Sequence, residues 1–309
     1  MTTAPTQSAM RNTQSAIAKL SLFAADIKIS HTLFALPWAI LSTFLAAKET
    51  HHPVTFTTIV LILGCMVTAR TVAMASNRLL DADLDAKNPR TARRAVPSGA
   101  LSRQFYLIIL STCAALFILL TSGFWFLNSN FWPIILSLPV LVFISSYPLL
   151  KRFTRLCHYY LGAALALAPV CAWLAIAGQL NLPPIIMAGA VLLWTAGFDI
   201  LYACQDYQSD LATGVFSVPA KIGIPRALWV ARLSHVASAA LIVTLGLISP
   251  TLSTFYFVGA AIAIALLIIE HSLVKPTDLS KLNLAFFTIN GIISLLIATL
   301  GLIDVLRPH

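Results

Sequence analysis

Two short runs concentrate the residues of this chain that could do chemistry. Asn77 to Asp85 reads NRLLDADLD and Asp199 to Asp210 reads DILYACQDYQSD; six of the eleven acidic residues lie in them. The surrounding sequence is apolar, and carboxylates gathered at the ends of apolar helices cost solvation free energy unless something cationic is bound there. Asn77, Asp81 and Asp85 recur every four residues and so share one helix face. Asp199, Tyr202, Asp206 and Asp210 step by three, four and four, which is again one face, while Asp83 falls off the first stripe. Two oxygen-rich stripes facing a common cavity make a cage for Mg²⁺, with Asn77, Asp81, Asp85, Asp206 and Asp210 as the metal-site residues. That hard cation favours carboxylates plus substrate phosphate over an all-protein shell. With Lys and Arg in the adjoining loops, the arrangement suits a diphosphate bridged by the metal. An apolar chain on that diphosphate would lie between helices in the membrane. The matching reaction is departure of diphosphate from an allylic carbon, leaving a carbocation for a nucleophile to trap.

The elements that must position these stripes are membrane spans. Apolar residues make up 59% of the 309 and charged residues only 10%, against roughly 25% charged in a soluble domain. The expectation is one all-α, polytopic membrane domain over 1–309. No cleavable signal peptide is expected, because residues 1–16 are polar. Residues 17–29 place Ile17, Leu20, Ala24 and Ile27 on one face and predict a short amphipathic helix at the membrane surface, with Lys19, Asp26 and Lys28 as polar interruptions. Nine apolar runs follow, at about 30–47, 57–80, 104–123, 131–149, 157–177, 184–205, 227–248, 253–273 and 283–303. Their lengths match about 30 Å of hydrocarbon at 1.5 Å per residue.

Charge orients them. Seventeen of the twenty Lys and Arg residues fall in the N-terminal segment and in alternate connections; Lys48 and Arg307 lie on the other side and Arg70 within the second span. The positive-inside rule puts the N-terminus and both motifs in the cytoplasm and the C-terminus outside. Topology accounts for the net charge of +9, so no nucleic-acid partner is expected. Trp125, Trp132 and Trp173 sit near the outer loops, as an aromatic belt would. Two cytoplasmic loops are long, 86–103 and 211–226; each follows a carboxylate stripe and carries cations. The stripes stand 125 residues apart, so spans 2 and 6 hold equivalent places in two four-helix halves, the pattern of a distant duplication. The five cysteines show no ligand spacing and read as packing residues. Arg70 reads as one half of a structural ion pair, and Glu270 and His271 as solvated at a helix end. His51 and His52 have no companion ligands.

With these motifs in place, the sequence resembles the UbiA superfamily of intramembrane aromatic prenyltransferases over nearly its whole length. The family's NDxxDxxxD is similar to Asn77 through Asp85, with Arg78 at the usual second Asp. Its RTxxRPLPSG resembles Arg90 through Gly99, with Ala95 in place of a Pro. YPxxKRxT matches Tyr147 through Thr154, and DxxYxxxDxxxD matches Asp199, Tyr202, Asp206 and Asp210. The resemblance implies a nine-helix fold, Mg²⁺ dependence, a polyprenyl diphosphate donor and an aromatic acceptor in a bacterial inner membrane. It is nearest to the 4-hydroxybenzoate polyprenyltransferases and to their relatives of the futalosine route to menaquinone, with Ile27 to Ala39 leaning toward the latter.

Lys151, Arg152, Lys221, Arg93 and Arg94 are the expected diphosphate contacts. Asp199 and Tyr202, inside a span, are expected to face the reacting carbons, the ring stabilising the cation by its π face and Asp199 taking a phenolic proton. Lys28 and His31 are the expected holders of an acceptor carboxylate. The acceptor expected first is 4-hydroxybenzoate; 1,4-dihydroxy-6-naphthoate, protohaem and a chlorophyll precursor are alternatives. A reading of another class, a repeat-built secondary transporter, would put its acids at mid-membrane in broken helices. Here most lie at helix ends beside basic loops, which favours an enzyme.

Overall fold

The computed structural model describes residues 7–28 and 34–307, with side chains from residue 16 in the first segment. The elements are helices: α1 (Gln7–Asp26), α2 (Leu36–Thr50), α3 (Phe56–Asp85), α4 (Arg103–Asn128), α5 (Trp132–Leu150), α6 (Cys157–Ala177), α7 (Leu182–Ala203), α8 (Tyr207–Thr213), α9 (Val218–Ile222), α10 (Ile224–Ile248), α11 (Thr254–Leu273) and α12 (Asn290–Leu306). A 3₁₀ turn, Cys204–Asp206, joins α7 to α8, and a π-helical turn, Leu284–Ile289, leads into α12. Eight runs among the described residues are long and apolar enough to cross a membrane. The ninth expected span is α2, equally apolar but only 15 residues long and starting at Leu36 rather than near residue 30.

The helix boundaries follow from local chemistry. Pro sits in the first turn of α2, α5 and α7, where its missing N–H has no partner to lose. Ser102 Oγ caps α4 by accepting the Phe105 N–H at 3.1 Å. Lipid tails are as apolar as the spans themselves, so association relies on close approach and buried hydrogen bonds. A Cβ on Gly162 would lie 2.3 Å from the Leu192 carbonyl oxygen, so α6 and α7 touch backbone to backbone there. Gly197 leaves the same kind of space for the His235 ring of α10. Ser42 Oγ donates to the Pro169 carbonyl (2.6 Å) and Ser238 Oγ to the Ala190 carbonyl (2.8 Å), tying α2 to α6 and α10 to α7.

Five local expectations are corrected. The amphipathic helix begins at Gln7, and it buries Phe23 and Ile27 against Ala75, Leu101 and Tyr106 while Ile17 and Leu20 stay exposed. Asp26 fixes that rotation: it accepts from Arg78 Nε (2.9 Å), Tyr106 Oη (2.6 Å) and the Ala95 N–H (3.1 Å). Arg70 makes no ion pair among the described residues; it donates to the Ile27 and Lys28 carbonyls at 3.3 and 2.7 Å, closing the orphaned end of α1. Trp173 is fully buried, with its indole N–H on Asn181 Oδ1 at 3.1 Å; of the three expected belt residues, Trp125 and Trp132 stand exposed. Glu270 and His271 are not a solvated end. Glu270 is fully buried and accepts from Asn290 Nδ2 at 2.8 Å; His271 Nε2 lies 3.0 Å from His235 Nδ1. Finally, the second stripe is not one helix, because α7 tightens into the 3₁₀ turn before Asp206.

Candidate active site

A single cavity of about 460 Å³ receives both motifs. From α3 it takes Asn77, Asp81 and Asp85; from α7, Asp199 and Tyr202; from the following turn and α8, Asp206 and Asp210. Behind the motifs the walls turn apolar, with Ile62, Met66, Phe117, Phe124, Ile144 and Leu165 among them. Ile62 and Asp81 are nineteen residues apart on α3, so the cavity runs along about 28 Å of that helix.

At the motif end Asp81, Asp85 and Asp206 are each met by a cation from another element. Lys151, at the end of α5, places Nζ 2.7 Å from Asp81 Oδ2, which also accepts from Asn77 Nδ2 at 2.7 Å. Arg94 donates to both oxygens of Asp85, at 2.9 and 2.7 Å. Arg90 grips Asp206 with two parallel bonds of 2.9 and 2.6 Å, and Asn88 adds a third at 2.8 Å. Loop 86–103 therefore joins the first motif's helix to the second motif's turn. Burial opposes the charge on Arg90, but the bidentate bond to Asp206 outweighs it and raises its pKa above the usual arginine value. Asp83, off the stripe, pairs with exposed Arg103 instead.

Asp81 Oδ1 is buried in this wall and has no partner. An unpartnered carboxylate oxygen beside further Asn and Asp oxygens is a donor set that fits Mg²⁺. Among the described residues no three acidic, His or Cys groups gather closely enough to hold an ion by themselves, so substrate oxygens and water would complete its shell.

Deeper in, Asp199 Oδ2 meets His158 Nδ1 at 2.7 Å. The Tyr202 ring stacks on Phe286 at 4.0 Å between centroids and carries the Arg90 guanidinium 5.4 Å above its other reach. Phe286 comes from the π-helical turn before α12; the wider turn leaves the Ala285 carbonyl to the Asn290 side chain, at 3.1 Å. Lys28 lines the mouth, with Nζ 5.0 Å from the Phe287 ring centroid. Partial burial, then the nearby Arg94, Arg90 and Arg78, lower its pKa below the usual lysine value.

Of the expected diphosphate contacts, Lys151 and Arg94 stand in the cavity wall. Arg93 and Lys221 are exposed, Lys221 resting 3.7 Å over the Phe216 ring, and Arg152 donates to the Leu80 carbonyl. His31 lies outside the described residues. Arg78 pairs with Asp26 and donates to Asn77 Oδ1 rather than to a motif carboxylate. Sequence reasoning missed Arg90, Asn88 and His158. Arg90 stood in the quoted loop motif without a stated role, Asn88 read only as the end of the preceding helix, and His158 falls at the start of an apolar run with nothing periodic to mark it.

The UbiA prenyltransferase family matches residues 35–292. The chain belongs to the UbiA prenyltransferase family. As a member it is a prenyltransferase, and the transporter reading gives way. It is 28% identical over 234 residues to the 4-hydroxybenzoate octaprenyltransferase of Nitrosospira multiformis, covering 76% of this chain and 78% of that one. It is 31% identical over 243 residues to the 4-hydroxybenzoate solanesyltransferase of Synechocystis, covering 75% and 74%. Among solved structures, the apo UbiA homolog from Aeropyrum pernix K1 superposes with a TM-score of 0.79 at 28% identity, over 90% of this chain and 99% of that one. A UbiA homolog from Archaeoglobus fulgidus bound to DMAPP and Mg²⁺ shares the fold at a TM-score of 0.70 and 21% identity, over 92% and 98%.

Proposed function

We propose that this enzyme transfers a polyprenyl group from polyprenyl diphosphate to a hydroxylated aromatic acid, 4-hydroxybenzoate first, with Mg²⁺ as its metal and the site open to the cytoplasm of a bacterial inner membrane. The carrying observation is that one cavity joins three paired carboxylate–cation sets to a long apolar wall. The names of the curated relatives and the metal and prenyl diphosphate in the Archaeoglobus homolog's structure support the same reading.

Asn77, Asp81, Asp85, Asp206 and Asp210 are the oxygens that would hold Mg²⁺, and the ion supplies charge neutralisation at the diphosphate. Lys151, Arg90 and Arg94 would exchange their carboxylates for phosphate oxygens, so no cation is left without a partner. The apolar wall receives the prenyl chain and keeps water from the allylic carbon. Heterolysis of the allylic C–O bond gives its electron pair to the departing diphosphate. Arg90, on leaving the Tyr202 ring for phosphate, would free that face to stabilise the cation. Asp199 takes the phenolic proton, and the electron-rich ring carbon forms the new C–C bond. The ring carbon's proton then passes to the released diphosphate as Asp199 returns the first to the oxygen, restoring the phenol. Lys28 at the mouth is the counter-charge for the acid's carboxylate.

Purified protein given polyprenyl diphosphate, Mg²⁺, 4-hydroxybenzoate and 1,4-dihydroxy-6-naphthoate in competition tests this directly. The expected result is prenylated acid, identified by mass, with stoichiometric diphosphate. Prenylation of protohaem or a chlorophyll precursor in preference to both acids overturns the acceptor and leaves the donor half standing.

A further inference from the structure

Three of the motif carboxylates are paired with cations, but Asp199 is held by an imidazole. His158 is almost fully buried at the start of α6, and both its ring nitrogens are committed to the protein. Its Nε2 receives the Val218 backbone N–H at 3.2 Å. A backbone N–H can only donate, so Nε2 carries a lone pair and the ring proton sits on Nδ1. That Nδ1–H donates to Asp199 Oδ2 at 2.7 Å. Val218 is itself anchored, because the segment before it is tied down twice. The Phe216 N–H donates to the Lys151 carbonyl at 2.7 Å, and Cys157 Sγ donates to the Phe216 carbonyl at 3.7 Å. Lys151 in turn pairs with Asp81. A chain of named bonds therefore runs from the diphosphate side of the cavity to Asp199.

We infer that His158 is a positioning residue that fixes the rotamer of Asp199 by engaging Oδ2, leaving Oδ1 to take the acceptor's phenolic proton. The orientation is set from behind by Val218, in the way a buried second group sets the tautomer of a histidine that touches the chemistry. This inference rests on the proposed role of Asp199 as the acceptor's base. It assigns a function to the turn around Val218 as well: that turn selects which imidazole nitrogen carries the proton.

The test compares His158→Phe, His158→Asn, His158→Gln, Asp199→Asn and the double variant Asp199→Asn/His158→Phe. Transfer to 4-hydroxybenzoate is measured as kcat and as KM for each substrate, and a thermal melt accompanies every variant. His158→Phe is expected to lower kcat about 10- to 100-fold with the donor KM unchanged. The Asn amide nitrogen takes the place of Nδ1, so His158→Asn should stay within about fivefold of wild type. The Gln amide reaches only the Nε2 position, so His158→Gln should fall with His158→Phe; this pair carries the test even where the Phe variant does not fold. In the Asp199→Asn background, adding His158→Phe should cost less than about twofold more, because its target is already gone. Full additivity of the two losses, or equal activity of the Asn and Gln variants, overturns the inference while the functional reading stands. Failure of wild type to prenylate any hydroxylated aromatic acid overturns both.

Discussion

Asp81 and Glu270 are acids on membrane-spanning helices, both almost fully buried, and each keeps one carboxylate oxygen without a partner. Their surroundings differ in kind. Asp81 borders the cavity and pairs with the Lys151 ammonium. Glu270 lies outside that cavity among neutral groups. Asn290 donates to its Oε1, Trp194 Nε1 donates to Asn290 Oδ1 at 2.7 Å, and His235 Nδ1 stands 3.8 Å from its Oε2. Burial of an acid in a membrane is therefore not by itself a sign of catalysis. The sign is burial together with a paired cation and a space that a ligand can enter. Glu270 ties α11 to α12 through Asn290; Asp81, on the proposed reading, awaits a substrate.

The largest expected effect breaks the comparison at Asp81. Asp81→Asn, and likewise Asp206→Asn, should lower turnover by about 10²- to 10³-fold while leaving the melting temperature near wild type. Steady-state kinetics at saturating Mg²⁺ check this, and near-normal turnover in either variant would remove the metal role. The next test inverts the pattern. Glu270→Ala removes one buried acceptor of the Asn290 amide, which costs about 1–3 kcal/mol; the melting temperature should fall by several degrees while transfer at low temperature stays within about threefold. A Glu270 variant with normal stability and no activity would put this acid in the reaction.

The smallest effect concerns pH at the mouth. Lys28 loses its proton below the usual lysine range, since burial and neighbouring guanidinium groups disfavour its charge. Its attraction for an acceptor carboxylate is present while it is protonated and is lost as pH rises through that lowered pKa. The KM for 4-hydroxybenzoate should therefore climb at alkaline pH in wild type, and Lys28→Met should show a raised KM with that climb removed. A profile unchanged by the substitution would take Lys28 out of acceptor binding.

The spans were legible because a membrane forces long apolar runs, and α6 matches its expected bounds to the residue. The first stripe was legible because α3 stays regular to Asp85. The second was read as a single helix, since a 3₁₀ turn of Cys204, Gln205 and Asp206 has no proline or glycine to announce it. Which cations reach the cavity was only half legible. Topology puts most cations on one side, and the fold of loop 86–103 then brings Arg90 and Arg94 inward while Arg93 stays exposed. Polar groups within apolar runs were the least legible. His158, His235 and Asn290 find their partners on other helices, at separations no local period encodes.

The ion pairs of the substrate-free site carry a thermodynamic consequence. Diphosphate entering alone would draw Lys151, Arg94 and Arg90 away and leave three carboxylates facing one another in a poorly solvated place. A divalent cation entering alone would do the reverse, freeing three cations to repel. On the proposed reading each ligand relieves the charges that the other strands. Linkage then requires each to raise the other's affinity by the same factor. The metal–diphosphate pair, whose charges largely cancel, is the species the site would admit best, so the protein would discriminate against either ion alone before any bond is broken.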